Sequence, residues 1–205
     1  MKHEAEIKEL LINNAIHLIA EGGFEKATTK ELTHSGGAIH GFKMNEVYIY
    51  RIFGSKEKLY ESVFSCLDNE LFNAFRKGVE IVGGFEELSK EKLYRFFTMA
   101  WNFIMGNEER CRCYVRYYYS IYFKGHSLFE HRKLFSAMIS EFSSMFKEEA
   151  DVLSIMHSVF IALFNFAIRV YNGELKNSDA NTPHIFNVLY CMVATYLKQP
   201  VDVTR

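Results

Sequence analysis

The stretch Asn45-Glu-Val-Tyr-Ile-Tyr-Arg-Ile-Phe53 runs into Gly54, and Ser55-Lys-Glu-Lys58 follows. It gathers side chains that act through their tips: the Glu46 carboxylate, the Tyr48 and Tyr50 phenols and the Arg51 guanidinium. The Lys56 ammonium lies just past the break. Hydrogen-bonding tips of this kind meet base edges in the major groove of duplex DNA, while flat apolar faces meet thymine methyls. A lysine opening the next helix puts its charge beside the positive end of that helix, which favours a phosphate. Glu46, Tyr48, Tyr50 and Arg51 are therefore candidate reading tips, and Lys56 is a candidate phosphate contact. Lys43 and His40, in the turn before them, are candidates to reach the DNA backbone.

Short helices must hold these tips in place. Ile7, Leu11, Ala15, Leu18 and Ile19 recur at helical spacing and predict an amphipathic helix over 7–20. Gly22-Gly23 suits a left-handed helix end. Thr28 with Glu31 three residues on is a capping box and starts a second, short helix. Ser35-Gly-Gly-Ala-Ile-His-Gly-Phe42 breaks it. Asn45 caps a third helix to about Phe53, and Ser55 caps a fourth, with Leu59, Val63, Leu67, Leu71 and Phe75 on its apolar side. The pattern stays helical beyond Gly83-Gly84, over 89–105, 109–124, 127–148, 151–175 and 183–198. Thr182-Pro183 reads as an N-cap followed by proline at the first helical position. The expectation is an all-α chain. A three-helix helix-turn-helix domain occupies 1–54 and a larger helical domain occupies 55–205.

Composition narrows the options. The net charge of −1 over 205 residues advertises no general attraction to nucleic acid or membrane. Residues 1–60 hold eight Lys/Arg against eight Asp/Glu, so modest non-specific affinity and few phosphate contacts are expected. Cys66, Cys111, Cys113 and Cys191 form no CxxC pair and read as buried or half-buried thiols of a reducing cytosol. The opening is charged, and Lys124, Asn165 and Arg169 interrupt the long apolar runs, so a cytoplasmic protein with no membrane partner is expected. Glu31-x-x-His34 is half of a carboxylate-bridged di-metal motif. No second copy exists, so neither metal nor cofactor is expected. No nucleophile-base-orienter set stands out, and an enzyme is not expected.

Ala15-Ile-His-Leu-Ile-Ala-Glu-Gly-Gly-Phe-Glu-Lys-Ala-Thr28-Thr29 together with Tyr48-Ile-Tyr50-Arg-Ile-Phe53-Gly-Ser-Lys56 resembles the N-terminal domain of the tetracycline-repressor (TetR) family of transcription regulators. The resemblance covers roughly residues 7–65. It implies that Tyr50 and Lys56 contact phosphates, that Thr28 or Thr29 does likewise, and that Asn45 replaces the usual cap. It places Glu46, Val47 and Tyr48 on the reading helix, with Phe53 packed inside. The chain departs from the family between Leu32 and Tyr50, which stand 18 positions apart. An insertion of about six residues lies in that turn, and loop length costs little closure entropy. Its effect falls on the placement of the reading helix.

In the larger domain, Tyr114, Tyr118 and Tyr122 share one helix face. They form either core packing or the wall of a pocket for an apolar or aromatic effector. Phe97, Trp101, Asn102, His157, Phe160, Phe164 and Asn165 are candidates for the same pocket, and His157 reads equally as a hydrogen-bonded core residue. Val152, Ile155, Met156, Val159, Leu163 and Phe166 form one terminal stripe; Ile185, Val188, Leu189, Met192 and Tyr196 form another. The resemblance implies that two subunits pair these helices in a four-helix bundle. Such a homodimer would face a palindromic double-stranded operator with two reading helices about one DNA turn apart. The expected function is a DNA-binding regulator, a repressor released by a small-molecule effector. The competing readings are an all-α ligand carrier or enzyme, or a helical adaptor for protein partners, none of which binds DNA.

Overall fold

The computed structural model describes residues 2–34 and 44–198. Lys43, His40 and the inserted turn lie outside the described residues. The described elements are α1 (Lys2–Gly22), α2 (Thr29–His34), α3 (Val47–Phe53), α4 (Lys56–Val82), α5 (Lys90–Met105), α6 (Glu108–Tyr118), α7 (Gly125–Ser143), α8 (Val152–Tyr171) and α9 (Asn181–Ala194). The all-α expectation holds. Among the described residues the one departure is an isolated antiparallel bridge between Phe146 and Leu197.

Local chemistry explains most boundaries. Gly23 closes α1 at φ 82°, with its N–H on Ile19 O at 2.9 Å, a left-handed position that favours glycine. Thr28 Oγ1 accepts the Glu31 N–H at 3.2 Å and Ser55 Oγ accepts the Lys58 N–H at 3.2 Å. Ser89 and Asp151 cap α5 and α8 in the same way. Several ends differ from the sequence reading: α7 stops at Ser143, not 148, α8 at Tyr171, not 175, and α9 at Ala194, not 198, and two further differences have a visible local cause. α6 stops at Tyr118, not Lys124, because Ser120 turns the chain: its hydroxyl donates to Tyr117 O at 2.7 Å and accepts from Tyr122 N at 3.1 Å. Side-chain bonds of this kind compete with helix continuation. α9 starts at Asn181, two residues before Pro183, with Ser178 Oγ accepting the Asn181 N–H at 3.3 Å. A proline within the first turn removes no intrahelical bond.

The chain divides into two compact units. The first comprises Met1–Glu70 and Glu108–His131; the second comprises Leu71–Asn107 and Arg132–Arg205. α4 and α7 each contribute residues to both. In the first unit α1 packs against α2, α3 and α6. Its core holds Leu11, Ile16 and Ile19 of α1, with Leu32, Ile49, Leu59 and Phe64. In the second unit α9 packs against α8 and α5 around Phe97, Phe160, Leu163, Ile185 and Leu189. α8 is long and apolar enough to cross a membrane by length and composition alone, contrary to the sequence expectation that Asn165 and Arg169 rule this out. The cysteines are unbridged; Cys111 and Cys113 are buried and Cys66 is half-buried, while Cys191 is exposed, unlike the buried or half-buried thiol expected there.

Candidate functional site

α3 presents one outward face. Glu46, Val47, Tyr50 and Arg51 are exposed, with Val47 at 65% and Tyr50 at 54%. Ile49, fully buried, anchors the opposite side. A valine and a tyrosine exposed to this degree bury little of their side chains in the core. Asn45 Oδ1 accepts the Val47 N–H at 3.1 Å, so it caps from one residue ahead of Glu46, whose own side chain makes no cap bond. Arg51 lays its guanidinium 4.6 Å from the centroid of half-buried Tyr48, a cation–π contact that limits its freedom. Phe53 is half-buried at the end of the helix.

Lys56 lies at the first position of α4, half-buried, with Nζ 5.6 Å from the centroid of the Tyr60 ring. That ring is itself fixed: its hydroxyl donates to Ala27 O at 2.9 Å and its edge meets Phe24 at 5.1 Å. A cation over a ring keeps its N–H donors for an outside acceptor. The two threonines separate. Thr29 Oγ1 donates to Glu46 Oε2 at 2.9 Å. A hydroxyl has one proton, so Thr29 cannot also donate to a phosphate while it holds Glu46. Thr28 Oγ1 accepts from Glu31 N, which leaves its own hydroxyl proton for another acceptor.

The second unit contains an apolar cavity of about 110 Å³. Phe75, Leu93, Phe96, Phe97, Ala100, Phe142, Phe160, Leu163, Phe186, Leu189, Tyr190 and Val193 line it, with Met138, Met145, Met156 and Val159. No charged side chain is among them. Of the candidate pocket residues, Phe97 and Phe160 are in this wall. Trp101 is buried behind Phe97 at 5.9 Å, its indole N–H on Asn177 Oδ1 at 3.0 Å, and Phe164 backs Phe160 at 4.9 Å. Half-buried His157 meets Phe135 edge-on at 5.9 Å, while Asn102 and Asn165 point to solvent.

The tyrosine stripe goes elsewhere. Tyr114, Tyr118 and Tyr122 belong to the first unit and line no part of this cavity. The hydroxyl of buried Tyr114 donates to buried Asp68 Oδ1 at 3.0 Å, and His131 Nδ1 meets the same oxygen at 3.0 Å. Burial first, and then the Asp68 charge, hold the Tyr114 phenol well above its ordinary pKa, so it stays a donor. Tyr118 lies edge-on to His131 at 5.5 Å, and Tyr122 packs on Phe24 and Tyr60. The sequence reading missed Asp68 and His131, although Asp68 sits four residues from Phe64 and from Phe72, on a buried stripe. A carboxylate on an apolar stripe was the available signal.

The terminal stripes also divide. Leu163, Ile185 and Leu189 are buried within their own unit, and Met156 and Val159 line the cavity; these residues serve the chain's own packing. Val188 and Tyr196 are exposed, as is Leu153, which the stripes omitted. Val152, Ile155, Phe166 and Met192 are half-buried.

No protein-family model and no curated protein matches the sequence. Solved structures match over nearly the whole chain. A TetR family transcription regulator from Marinobacter aquaeolei VT8 superposes with a TM-score of 0.76 at 13% identity, covering 97% of this chain and 100% of that one. A TetR-like transcriptional regulator from Rhodococcus sp. RHA1 gives 0.62 at 16% identity, covering 91% and 92%. The fatty acid degradation regulator FadR from Bacillus halodurans gives 0.63 at 15% identity, covering 88% and 96%. With its helix order and outward α3, the chain has the fold of the TetR-family transcription regulators.

Proposed function

We propose that the protein is a cytoplasmic, homodimeric, DNA-binding transcription regulator, a repressor released by a small apolar effector. The observation that carries this reading is the outward face of α3, where Glu46, Val47, Tyr50 and Arg51 stand exposed over a buried Ile49. In this reading residues 1–54 are the reading head and 55–205 hold the effector and pair the subunits. Exposed Leu153, Val188 and Tyr196 and half-buried Val152, Ile155, Phe166 and Met192 form the pairing face. Two-fold pairing sets two α3 helices about one DNA turn apart, on a palindromic operator. The effector occupies the apolar cavity of the second unit. It shifts the dimer between two shapes only by its difference in affinity for them, and α4, one helix continuous through both units, carries the change.

Gel-shift against the DNA flanking the protein's own gene tests the reading. An inverted repeat bound by a dimer is expected; no retained fragment over a range of salt refutes it. Lys56→Ala is expected to weaken binding to all sequences alike and to flatten the logarithmic salt slope by about one unit. Tyr50→Phe is expected to weaken binding without changing that slope. An unchanged slope in Lys56→Ala removes Lys56 from the phosphate contacts.

A further inference from the structure

The reading face of α3 carries a carboxylate where DNA would approach, and that charge needs an explanation. An exposed Glu46 is repelled by every phosphate. Yet the side chain is not left to swing away. Thr29, from α2, donates its only hydroxyl proton to Glu46 Oε2 at 2.9 Å. Asn45 fixes the backbone one residue earlier through its bond to Val47 N. The carboxylate is thereby tethered on the same face as Val47, Tyr50 and Arg51, and its second oxygen, Oε1, retains lone pairs for an outside donor.

We propose that Glu46 selects a cytosine in each half-site and that Thr29 is the residue that positions it. The inference rests on the DNA-binding reading above and names a base for one of its contacts. In the major groove the base-edge donors are the cytosine N4 amino group and the adenine N6 amino group. Adenine carries the N7 acceptor beside N6, and a carboxylate facing both meets repulsion with its bond. Cytosine offers its amino group with no acceptor next to it on the same base. A held carboxylate therefore prefers cytosine, and it trades general affinity for that choice. The near-neutral charge balance of residues 1–60 fits a head that gains little from phosphates.

The test is selection of bound sites from a random duplex library by the full-length protein, together with binding constants for the selected duplex and for random duplex. Wild type is expected to select one fixed C·G pair per half-site beneath this contact. Glu46→Ala is expected to lose that preference by roughly tenfold while binding random duplex more tightly, since one repulsive charge is gone. Glu46→Gln, whose amide can accept from N6 and donate to N7, is expected to move the preference to adenine. Thr29→Val, nearly isosteric without the hydroxyl, is expected to blur it while leaving the other positions intact. If Glu46→Ala selects the wild-type site unchanged, or binds random duplex more weakly, the inference fails and the DNA-binding reading stands. If wild type enriches no sequence at all, both fall together.

Discussion

Replacing Asp68 with alanine is expected to cost about 2–6 kcal/mol of folding stability, because two buried polar groups deprived of a shared acceptor lose about 1–3 kcal/mol each. Asp68 is 1% exposed and His131 is 4% exposed. One carboxylate oxygen serves two partners from outside its own helix: Tyr114 of α6, and His131 of α7 at the last position of the first unit. Tyr114→Phe removes one of the two bonds and leaves the carboxylate in place, so a loss of about 1–2 kcal/mol is expected. Urea unfolding of the two variants and wild type measures both values. Equal losses, or a loss under about 1 kcal/mol for Asp68→Ala, would mean that the carboxylate is not the hub joining the three helices. Asp68 sits on α4, three turns after Lys56 at the start of that helix.

The ease of reading these features from the sequence followed the range of the interaction involved. Thr28, Ser55, Ser89 and Asp151 cap amides three residues away, and such bonds are set by residue type and spacing alone. The short α3, with its outward tips, follows from Asn45, Gly54 and the tyrosines between them. Where a second local signal competed, the boundary slipped. The i+4 tyrosines suggested that α6 continues to Lys124, but the Ser120 hydroxyl turns the chain after Tyr118. Partners distant in sequence were not legible. Tyr114 reaches Asp68 across 46 residues, and Trp101 reaches Asn177 across 76. Periodicity says that a residue faces inward but not which interior it enters. The same limit explains why the Tyr114–Tyr122 stripe was read as a possible pocket wall, while Phe142, Met145, Phe186 and Tyr190, which line the cavity, carried no distinguishing mark. It also explains why Leu163, Ile185 and Leu189 looked available to a second subunit. An apolar stripe serves an intramolecular and an intermolecular neighbour equally well.

Toluene is expected to raise the melting temperature, and benzoate at the same concentration is expected to leave it unchanged. The cavity wall holds seven aromatic rings and no charge. A carboxylate placed against that wall would lose water with no charged or polar side chain among the lining residues but the Tyr190 hydroxyl to offset it, a penalty that opposes the gain from burying its ring. A neutral ring suffers no such loss. An apolar cavity of about 150 Å³ in another protein stays dry and takes up benzene, and the present one, at about 110 Å³, is of similar scale. Met138, Met145 and Met156 give it unbranched walls that adapt to shape, so the preferred guest is a compact uncharged molecule or the apolar end of a longer one. At tenfold excess over its dissociation constant, a ligand bound only to the native state adds about 1.4 kcal/mol. For a chain of this length that corresponds to a rise of about 3–6 °C. Ala100→Leu fills part of the same space from α5 and is expected to raise the melting temperature of the unliganded protein and to remove the response to toluene. Should benzoate stabilise as strongly as toluene, or Ala100→Leu respond as fully as wild type, the guest lies elsewhere. If the expected pattern holds, the same toluene concentration in the gel-shift experiment tests the proposed coupling, because a guest that stabilises two conformations equally leaves the affinity for a partner of either untouched.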